Sequence, residues 1–133
     1  MQRSNQYHRQ AAFTLIELMI VMAIIAVVAL IALPSYERYV DRANRVSAQQ
    51  FMLESASRAE EFRLDRREYP ADLAAMNRTV PADIATHFTI TLAGDNTAPP
   101  SFTVTATPTG PAASRQPTMT LLSDGTRTPA DKW

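Results

Sequence analysis

The chain has 133 residues, with 13 lysines and arginines, 13 aspartates and glutamates, and no cysteine. This length predicts one domain, or one small domain with an extra element. Without cysteine the chain has no disulfide scaffold, thiolate zinc site, iron–sulfur site or cysteine nucleophile. A formal net charge of zero argues against a dedicated nucleic-acid-binding protein, which carries a basic surplus.

The segment from Phe13 to Leu33 is almost entirely apolar. Nineteen of its 21 residues are hydrophobic, and Thr14 and Glu17 are the exceptions. As an α-helix it reaches roughly 31 Å, enough to cross the hydrocarbon core of a bilayer. A buried helix of a soluble core is the alternative. Such helices are usually shorter and have a polar face, so the pattern favours a membrane span.

The same segment predicts a retained anchor rather than a cleaved secretory signal. The hydrophobic region of a secretory signal has ~7–15 residues, whereas this run is longer and its helical pattern continues beyond Pro34. Arg3 and Arg9 precede the span with no acidic residue between them. The distribution of these arginines predicts a cytoplasmic N-terminus, with the rest of the chain on the far side of the membrane.

Beyond Pro34 the helical pattern resumes with one apolar stripe. Its predicted members are Tyr36, Tyr39, Val40, Ala43, Val46, Leu53, Ala56 and Ala59. Because proline removes one backbone donor, we expect a kink at Pro34. The helix is expected to end before Tyr69-Pro70, since a residue preceding proline avoids helical angles, which gives one helix of about 55 residues.

The second half of the chain predicts a small antiparallel sheet. Eight of the nine prolines lie at or beyond position 70. Residues 70–86 are typical of a connecting loop with a helical turn near 72–77. Alternating apolar residues and threonines predict strands within 87–92, 102–107 and 118–123, with turns at 94–96 and 124–125. Such alternation indicates one wet face and one face buried against the stripe of the helix.

The N-terminal motif consists of Ala12-Phe13-Thr14-Leu15-Ile16-Glu17, a long apolar run, and Pro34-Ser35-Tyr36. This motif resembles that of the type IV pilin family. Residues 118–121, 123–126 and 131–133 resemble the ends of some small minor pilins. The resemblance covers roughly residues 9–69 and, more loosely, the rest. It implies an α+β fold, in which a long N-terminal helix packs on a four-stranded antiparallel sheet. The implied segments are a cytoplasmic leader (1–12), a transmembrane and assembly helix (13–33), the extramembrane half of the helix (34–69) and a loop with the sheet (70–133).

The resemblance also implies a processing and assembly pathway. A prepilin peptidase of the membrane cleaves between Ala12 and Phe13, and the new N-terminus of Phe13 is methylated. Phe13, Glu17 and Pro34 then serve assembly. The implied partners are other pilin subunits, the prepilin peptidase, the inner-membrane assembly platform and membrane lipid, with no cofactor. The implied location is the bacterial inner membrane, single-pass with a periplasmic head, followed by the pilus fibre at the cell surface.

Three positions depart from the family pattern. Ala12 stands where the family usually has glycine. Ala26 stands where family members often have glycine. Lys132 stands where small minor pilins have a cysteine before the final tryptophan, and in those proteins this cysteine usually closes the last loop with a disulfide. Without that disulfide, we expect the tail to be held by strand pairing and by burial of Trp133.

Glu17 is the one ionisable side chain within the span. An unpaired charge at the centre of a bilayer costs roughly 2.5–3.5 kcal/mol. Cleavage creates a positive amine on Phe13, four residues away, so Glu17 can meet its own amine or that of a neighbouring subunit. Such a buried pair would set the register between subunits. In the alternative, Glu17 lies near the membrane interface and contributes nothing to register.

No catalytic motif is visible, and the sequence predicts that the protein is not an enzyme. His8 lies in the predicted leader, and His87 is typical of a solvated strand position. Near the predicted end of the helix, basic and acidic residues alternate, which indicates a salt-bridged face rather than a DNA-binding surface. These residues are Arg58, Arg63, Arg66 and Arg67 with Glu60, Glu61, Asp65 and Glu68.

Three functions are consistent with the sequence. The first is a type IV pilus subunit, a minor pilin that supports pilus biogenesis, twitching motility, adhesion or DNA uptake. The second is a pseudopilin of a type II secretion system. Major pseudopilins often carry calcium-binding loops, and the isolation of Asp95 and Asp124 therefore favours the pilus. The third is a DNA-binding receptor displayed on the fibre, for which the sequence offers weak support.

Overall fold

A computed structural model describes residues 13–133, so the predicted leader, including Ala12, lies outside the described residues. The main elements are helices α1 (Leu15–Arg66) and α2 (Ala82–Ala85) and strands β1 (Phe88–Asp95), β2 (Ser101–Pro108), β3 (Met119–Leu122) and β4 (Arg127–Thr128). Short 3₁₀ turns occur at Ala74–Met76, Gly110–Ala112 and Ala130–Lys132. The chain divides into two compact units, an N-terminal unit that ends at Arg38 and a C-terminal unit, Tyr39–Trp133.

The N-terminal unit contains the apolar first half of α1. Among the described residues, α1 is the one helix that is long and apolar enough to cross a membrane, and its most apolar window has no buried residue. Pro34 lies inside α1 and does not end it. The guanidinium of Arg38 donates a hydrogen bond to the carbonyl oxygen of Pro34 at 3.1 Å, one turn back.

In the C-terminal unit, the second half of α1 packs on the sheet through a stripe that differs from the predicted one. The side chains of Tyr39, Ala43, Val46 and Leu53 are exposed, so their assignment to the buried stripe was wrong. Tyr36, which is also exposed, lies in the N-terminal unit. The buried residues of α1 are Ala48, Phe51, Met52, Ser55 and Ala59, spaced as one helical face. Ser55 conceals this face in the sequence because it is polar. Its hydroxyl donates to the carbonyl oxygen of Phe51 at 2.7 Å, which satisfies it in the core.

The end of α1 has a left-handed cap. Arg67, just beyond the helix, has a φ of 62°, and its N–H donates to the carbonyl oxygen of Arg63 at 2.8 Å. A residue in this conformation often follows the last helical turn. Tyr69 and Pro70 are buried, and the helix ends before them, as the proline predicts.

The sheet confirms the predicted strand alternation. Its four strands are antiparallel in the order β1-β2-β3-β4. The residues that face α1 are Phe88, Ile90 and Leu92 of β1, Phe102, Val104 and Ala106 of β2, and Met119 and Leu121 of β3, all buried. In the register, Leu92 lies opposite Val104, which lies opposite Leu121, so the three strands form a continuous apolar layer. Threonines occupy most of the opposite face.

The connection between α1 and β1 is more ordered than the predicted loop. The helical turn expected near 72–77 is present at Ala74–Met76, and α2 is an additional short helix that buries Ile84. Where the connection leaves α1, it passes against β1. A Cβ atom at Gly94 would overlap the carbonyl oxygen of Pro70, so only glycine fits there without displacing the backbone.

The C-terminal tail is held without a disulfide. Trp133 packs partly buried against the core, and its indole N–H donates to the carbonyl oxygen of Thr128 at 3.3 Å. Strand β4 pairs with β3, so both predicted restraints are present. A third restraint was not predicted: the side-chain amide of Gln49 in α1 donates to the carbonyl oxygen of Lys132 at 2.7 Å.

Candidate functional site

The first candidate site is the apolar surface of the N-terminal unit. Phe13 is 83% exposed, and large hydrophobic side chains remain exposed on every face of α1 as far as Leu33. A helix that is apolar all round requires lipid or other apolar helices around it. This surface is therefore suited both to a membrane and to a bundle of like helices.

The N-terminus of α1 is capped by two reciprocal hydrogen bonds between Thr14 and Glu17. The backbone N–H of Glu17 donates to the hydroxyl of Thr14 at 3.3 Å, and the N–H of Thr14 approaches a carboxylate oxygen of Glu17 at 3.5 Å. This arrangement is a capping box, in which a threonine and a glutamate three residues later satisfy each other's backbone donors. The Thr-x-x-Glu spacing carries this signal, which the sequence analysis did not use.

The capping box places the predicted assembly residues in relation to one another. It holds the carboxylate of Glu17 beside the backbone of Thr14, which directly follows Phe13. Pro34 lies 17 residues farther along α1 than Glu17, well away from this group of residues. The structure thus brings Glu17 close to the predicted new N-terminus, whereas Ala12, on the other side of the predicted cleavage site, lies outside the described residues.

The charged residues near the end of α1 largely contact one another and nearby aromatic rings. Arg58 pairs with Glu61 at 2.9 Å on the surface. Arg63 donates to the hydroxyl of Tyr69 at 2.8 Å and lies 4.8 Å from the centre of its ring. The Tyr69 hydroxyl in turn donates to Glu60 at 3.0 Å. These contacts fit the predicted salt-bridged face and leave no broad basic surface there.

Further basic residues lie on the part of α1 that meets the C-terminal tail and in the tail itself. Arg42, Arg45 and Gln49 lie on one flank of α1, because they are spaced by three and four residues. The hydrogen bond from Gln49 to the carbonyl of Lys132 brings the tail to this flank.

Within the tail, the guanidinium of Arg127 lies 5.2 Å from the centre of the Trp133 ring. We define the basic strip as Arg42, Arg45, Arg127 and Lys132. Asp131, which pairs with Lys132 at 3.2 Å, reduces its four positive charges to a surplus of three. These residues could not be grouped from the sequence, because Arg42 and Arg45 lie more than 80 residues before Arg127 and Lys132 in the chain.

The two isolated aspartates each close a turn. The carboxylate of Asp95 accepts a hydrogen bond from the N–H of Thr97 at 2.9 Å, and that of Asp124 accepts one from Thr126 at 2.8 Å. These backbone hydrogen bonds lower the pKa of both carboxyl groups below the usual value of 3.8. Within residues 13–133, no three histidine or acidic residues lie close enough together to hold a metal ion.

The fold is that of a type IV pilin. A solved type IV pilin from Shewanella oneidensis aligns with a TM-score of 0.55 and 22% sequence identity, over 68% of this chain and 92% of that chain. Residues 7–33 also match the prokaryotic N-terminal methylation motif. Together they confirm the predicted fold and the predicted class of N-terminus.

The rest of the chain defines the family more narrowly. Residues 34–119 match the family model described as type IV minor pilin ComP, DNA uptake sequence receptor, and the chain belongs to this family. The protein is therefore a type IV minor pilin, which the sequence favoured over a type II pseudopilin. A search of curated proteins finds no significant match. Its family is one of structural pilins, and its apolar N-terminal helix fits a membrane and pilus location.

Proposed function

We propose that this minor pilin is made as a precursor and assembled into the pilus through residues 13–33. A prepilin peptidase cleaves between Ala12 and Phe13 and methylates Phe13, and an inner-membrane platform then transfers the subunit into the fibre. Before transfer, the N-terminus is cytoplasmic and the C-terminal unit periplasmic. The role is structural, without a catalytic step. The observation that carries the proposal is the helix of the N-terminal unit, whose apolar side chains are exposed on all faces.

Glu17 supplies the polar contact that positions the subunit. In the precursor its carboxylate helps to cap α1. Cleavage adds a positive amine at Phe13, one residue before Thr14, and the carboxylate can pair with this amine or with that of a neighbouring subunit. Helix packing in lipid gains little hydrophobic energy, because lipid tails are as apolar as the side chains. A single charge pair therefore has a large influence on register within the fibre.

Two substitutions at Glu17 separate its charge from its capping role. Glu17→Gln removes the charge but keeps a side-chain oxygen that can complete the capping box. Glu17→Val removes both the charge and the capping oxygen. We expect both variants to remain in the membrane and to be lost from sheared fibres by about tenfold or more, as measured by immunoblotting. Thr14→Ser, which retains the cap, is the matched control and should assemble normally. Normal fibre incorporation of Glu17→Gln would show that the charge pair is not required.

A second function, DNA binding by the C-terminal unit, is supported by the family description and by the basic strip. DNA affinity rests largely on lysine and arginine contacts to phosphates, each of which displaces a counterion. The strip offers a surplus of positive charge, and Trp133 adds a large aromatic surface beside Arg127. We therefore propose that the strip, rather than the end of α1, is the surface that contacts DNA.

The DNA proposal is tested with the full chain in detergent micelles and a fluorescent duplex. Arg42→Gln combined with Arg45→Gln should weaken binding by about tenfold or more. It should also make the plot of log affinity against log salt less steep, by about two units of slope. Arg58→Gln removes one positive charge from the salt-bridged face and should have little effect. Equal losses at the two surfaces, or no loss from the double substitution, would overturn the assignment to the strip.

A further inference from the structure

Strand β1 forms one edge of the sheet, where Ile90 and Leu92 present unpaired backbone groups. In an antiparallel pair, successive residues point their N–H and C=O alternately toward and away from the partner strand. The N–H of Thr109 donates to the carbonyl of His87 at 2.8 Å, so His87 and every second residue after it face β2. Ile90 and Leu92 therefore direct their backbone groups outward. In the described part of the chain, no hydrogen bond reaches these outward groups.

An open groove of about 400 Å³ runs along this edge. One wall is β1 at Ile90 and Leu92, and the other is the connection from α1, with Leu73 and Val80. At one end of β1 the connection closes onto the strand, where the N–H of Gly94 donates to the carbonyl of Ala71 at 3.4 Å. The groove is thus mainly apolar, with a row of unpaired main-chain donors and acceptors along one side.

Arg78 adds a charged group to the same groove. Its guanidinium lies 4.7 Å from the centre of the Phe51 ring, and one terminal nitrogen binds Glu54 at 3.1 Å. Its Nε–H is buried and has no hydrogen-bond partner among residues 13–133. That atom is closed to solvent, but 21% of the Arg78 side chain remains exposed, so a carboxylate from outside the chain can approach this side chain.

We propose that the groove binds an extended segment of another polypeptide, which adds to the sheet as a short strand beside β1. About three residues are enough to pair with the outward groups of Ile90 and Leu92, since a strand repeats its pairing every two residues. An aliphatic side chain of the segment packs between Leu73 and Val80, and a carboxylate on the segment faces Arg78. The proposal depends neither on DNA binding nor on assembly through residues 13–33.

Both chemical features of the groove favour a polypeptide. The unpaired groups comprise N–H donors and C=O acceptors in alternation, and an extended main chain is the ligand that matches both at this spacing. An anionic group without a main chain would satisfy Arg78 but would leave the carbonyls of Ile90 and Leu92 unpaired.

The absence of native cysteine allows a direct test by disulfide tethering, which raises the effective concentration of a weak ligand. In the full chain in detergent micelles, the lone cysteine of Thr79→Cys lies on the exposed rim of the groove. The probe is a peptide of alternating valine and threonine that carries one aspartate and one cysteine. Its analogues have either N-methyl groups on alternate amides or asparagine in place of aspartate. Thr89→Cys is the control, because this exposed residue lies on the same strand but on the opposite face of the sheet.

At equilibrium with a small thiol, we expect Thr79→Cys to capture the unmodified peptide about tenfold more than the N-methylated one, as the loss of two hydrogen bonds predicts. The asparagine peptide should be captured several-fold less. Capture should also slow hydrogen exchange at the amides of Ile90 and Leu92. Thr89→Cys should not distinguish the peptides. Equal capture of the unmodified and N-methylated peptides at Thr79→Cys, or capture no greater than at Thr89→Cys, would overturn the proposal.

Discussion

The side-chain amide of Asn96 binds both backbone groups of Tyr69. The N–H of Tyr69 donates to Oδ1 of Asn96 at 2.7 Å, and Nδ2 of Asn96 donates to the carbonyl oxygen of Tyr69 at 3.1 Å. Tyr69 is buried, and its ring meets that of Phe102 edge-on, with centroids 5.0 Å apart. The pair therefore joins the segment after α1 to the connection between β1 and β2.

We expect Asn96→Ala to lower the free energy of unfolding by about 1–3 kcal/mol, because it leaves two backbone groups of a buried residue unpaired. Asn96→Asp keeps the acceptor and loses the donor, so it should also be destabilising. Urea titration followed by the fluorescence of Trp133, the single tryptophan, measures both. Thr89→Ala on the exposed face of the sheet is the control. A change no larger than that of the control would contradict the role given to the pair.

Gly94 should tolerate no larger side chain. A methyl group there would meet the carbonyl oxygen of Pro70, and the backbone would have to move at a cost of about 1–3 kcal/mol. Gly110→Ala provides the comparison, because Gly110 has a φ of 66° but nothing within 4 Å of the added carbon. Gly94→Ala should shift the urea midpoint further than Gly110→Ala; the reverse order would show that the connection adjusts easily.

Gln49 should help to hold the C-terminal tail, because the chain has no cysteine and therefore no disulfide to do so. Gln49→Ala removes the hydrogen bond to the carbonyl of Lys132, so Trp133 should become more exposed and carboxypeptidase should release it faster. Gln50→Ala, at the neighbouring exposed position, is the control. Equal release rates for the two variants would indicate that β4 and Trp133 hold the tail without Gln49.

The turns closed by Asp95 and Asp124 predict a loss of stability in acid. Their pKa values are lowered in the folded chain, so each charged carboxylate stabilises the fold at pH values above the usual pKa of 3.8. That contribution is lost as the pH falls below this value and through the lowered pKa. The substitutions Asp95→Asn and Asp124→Asn each keep an acceptor that does not titrate. The double variant should lose less stability than the parent between about pH 5 and about pH 3. An identical loss would exclude these turns as the cause.

The strands were predictable because their alternation is local. Phe88, Ile90 and Leu92 repeat at the period of a strand, and each is buried as expected. The N-terminal helix was equally clear, since its apolar run has no competing pattern. Alternation and uninterrupted hydrophobicity depend on neighbouring residues alone, so they can be recognised without knowledge of the tertiary structure.

The buried stripe of α1 and the basic strip could not be obtained in the same way. Ser55 interrupts the apolar face that Met52 and Ala59 share, and only the hydrogen bond to Phe51 explains why a polar residue lies there. The basic strip requires the contact between Gln49 and Lys132, which are 83 residues apart. Both features depend on tertiary contacts, which sequence periodicity does not contain.

The mature N-terminus in isolated fibres tests the central claim most directly. Pili sheared from cells that produce the protein should contain the chain, and mass spectrometry should find that it begins at N-methylated Phe13. Thr14 and Glu17 would then lie at the second and fifth positions of the mature subunit. A chain that begins at Met1 in the fibre, or one that stays in the membrane while other pilins are sheared off, would contradict processing and assembly through residues 13–33.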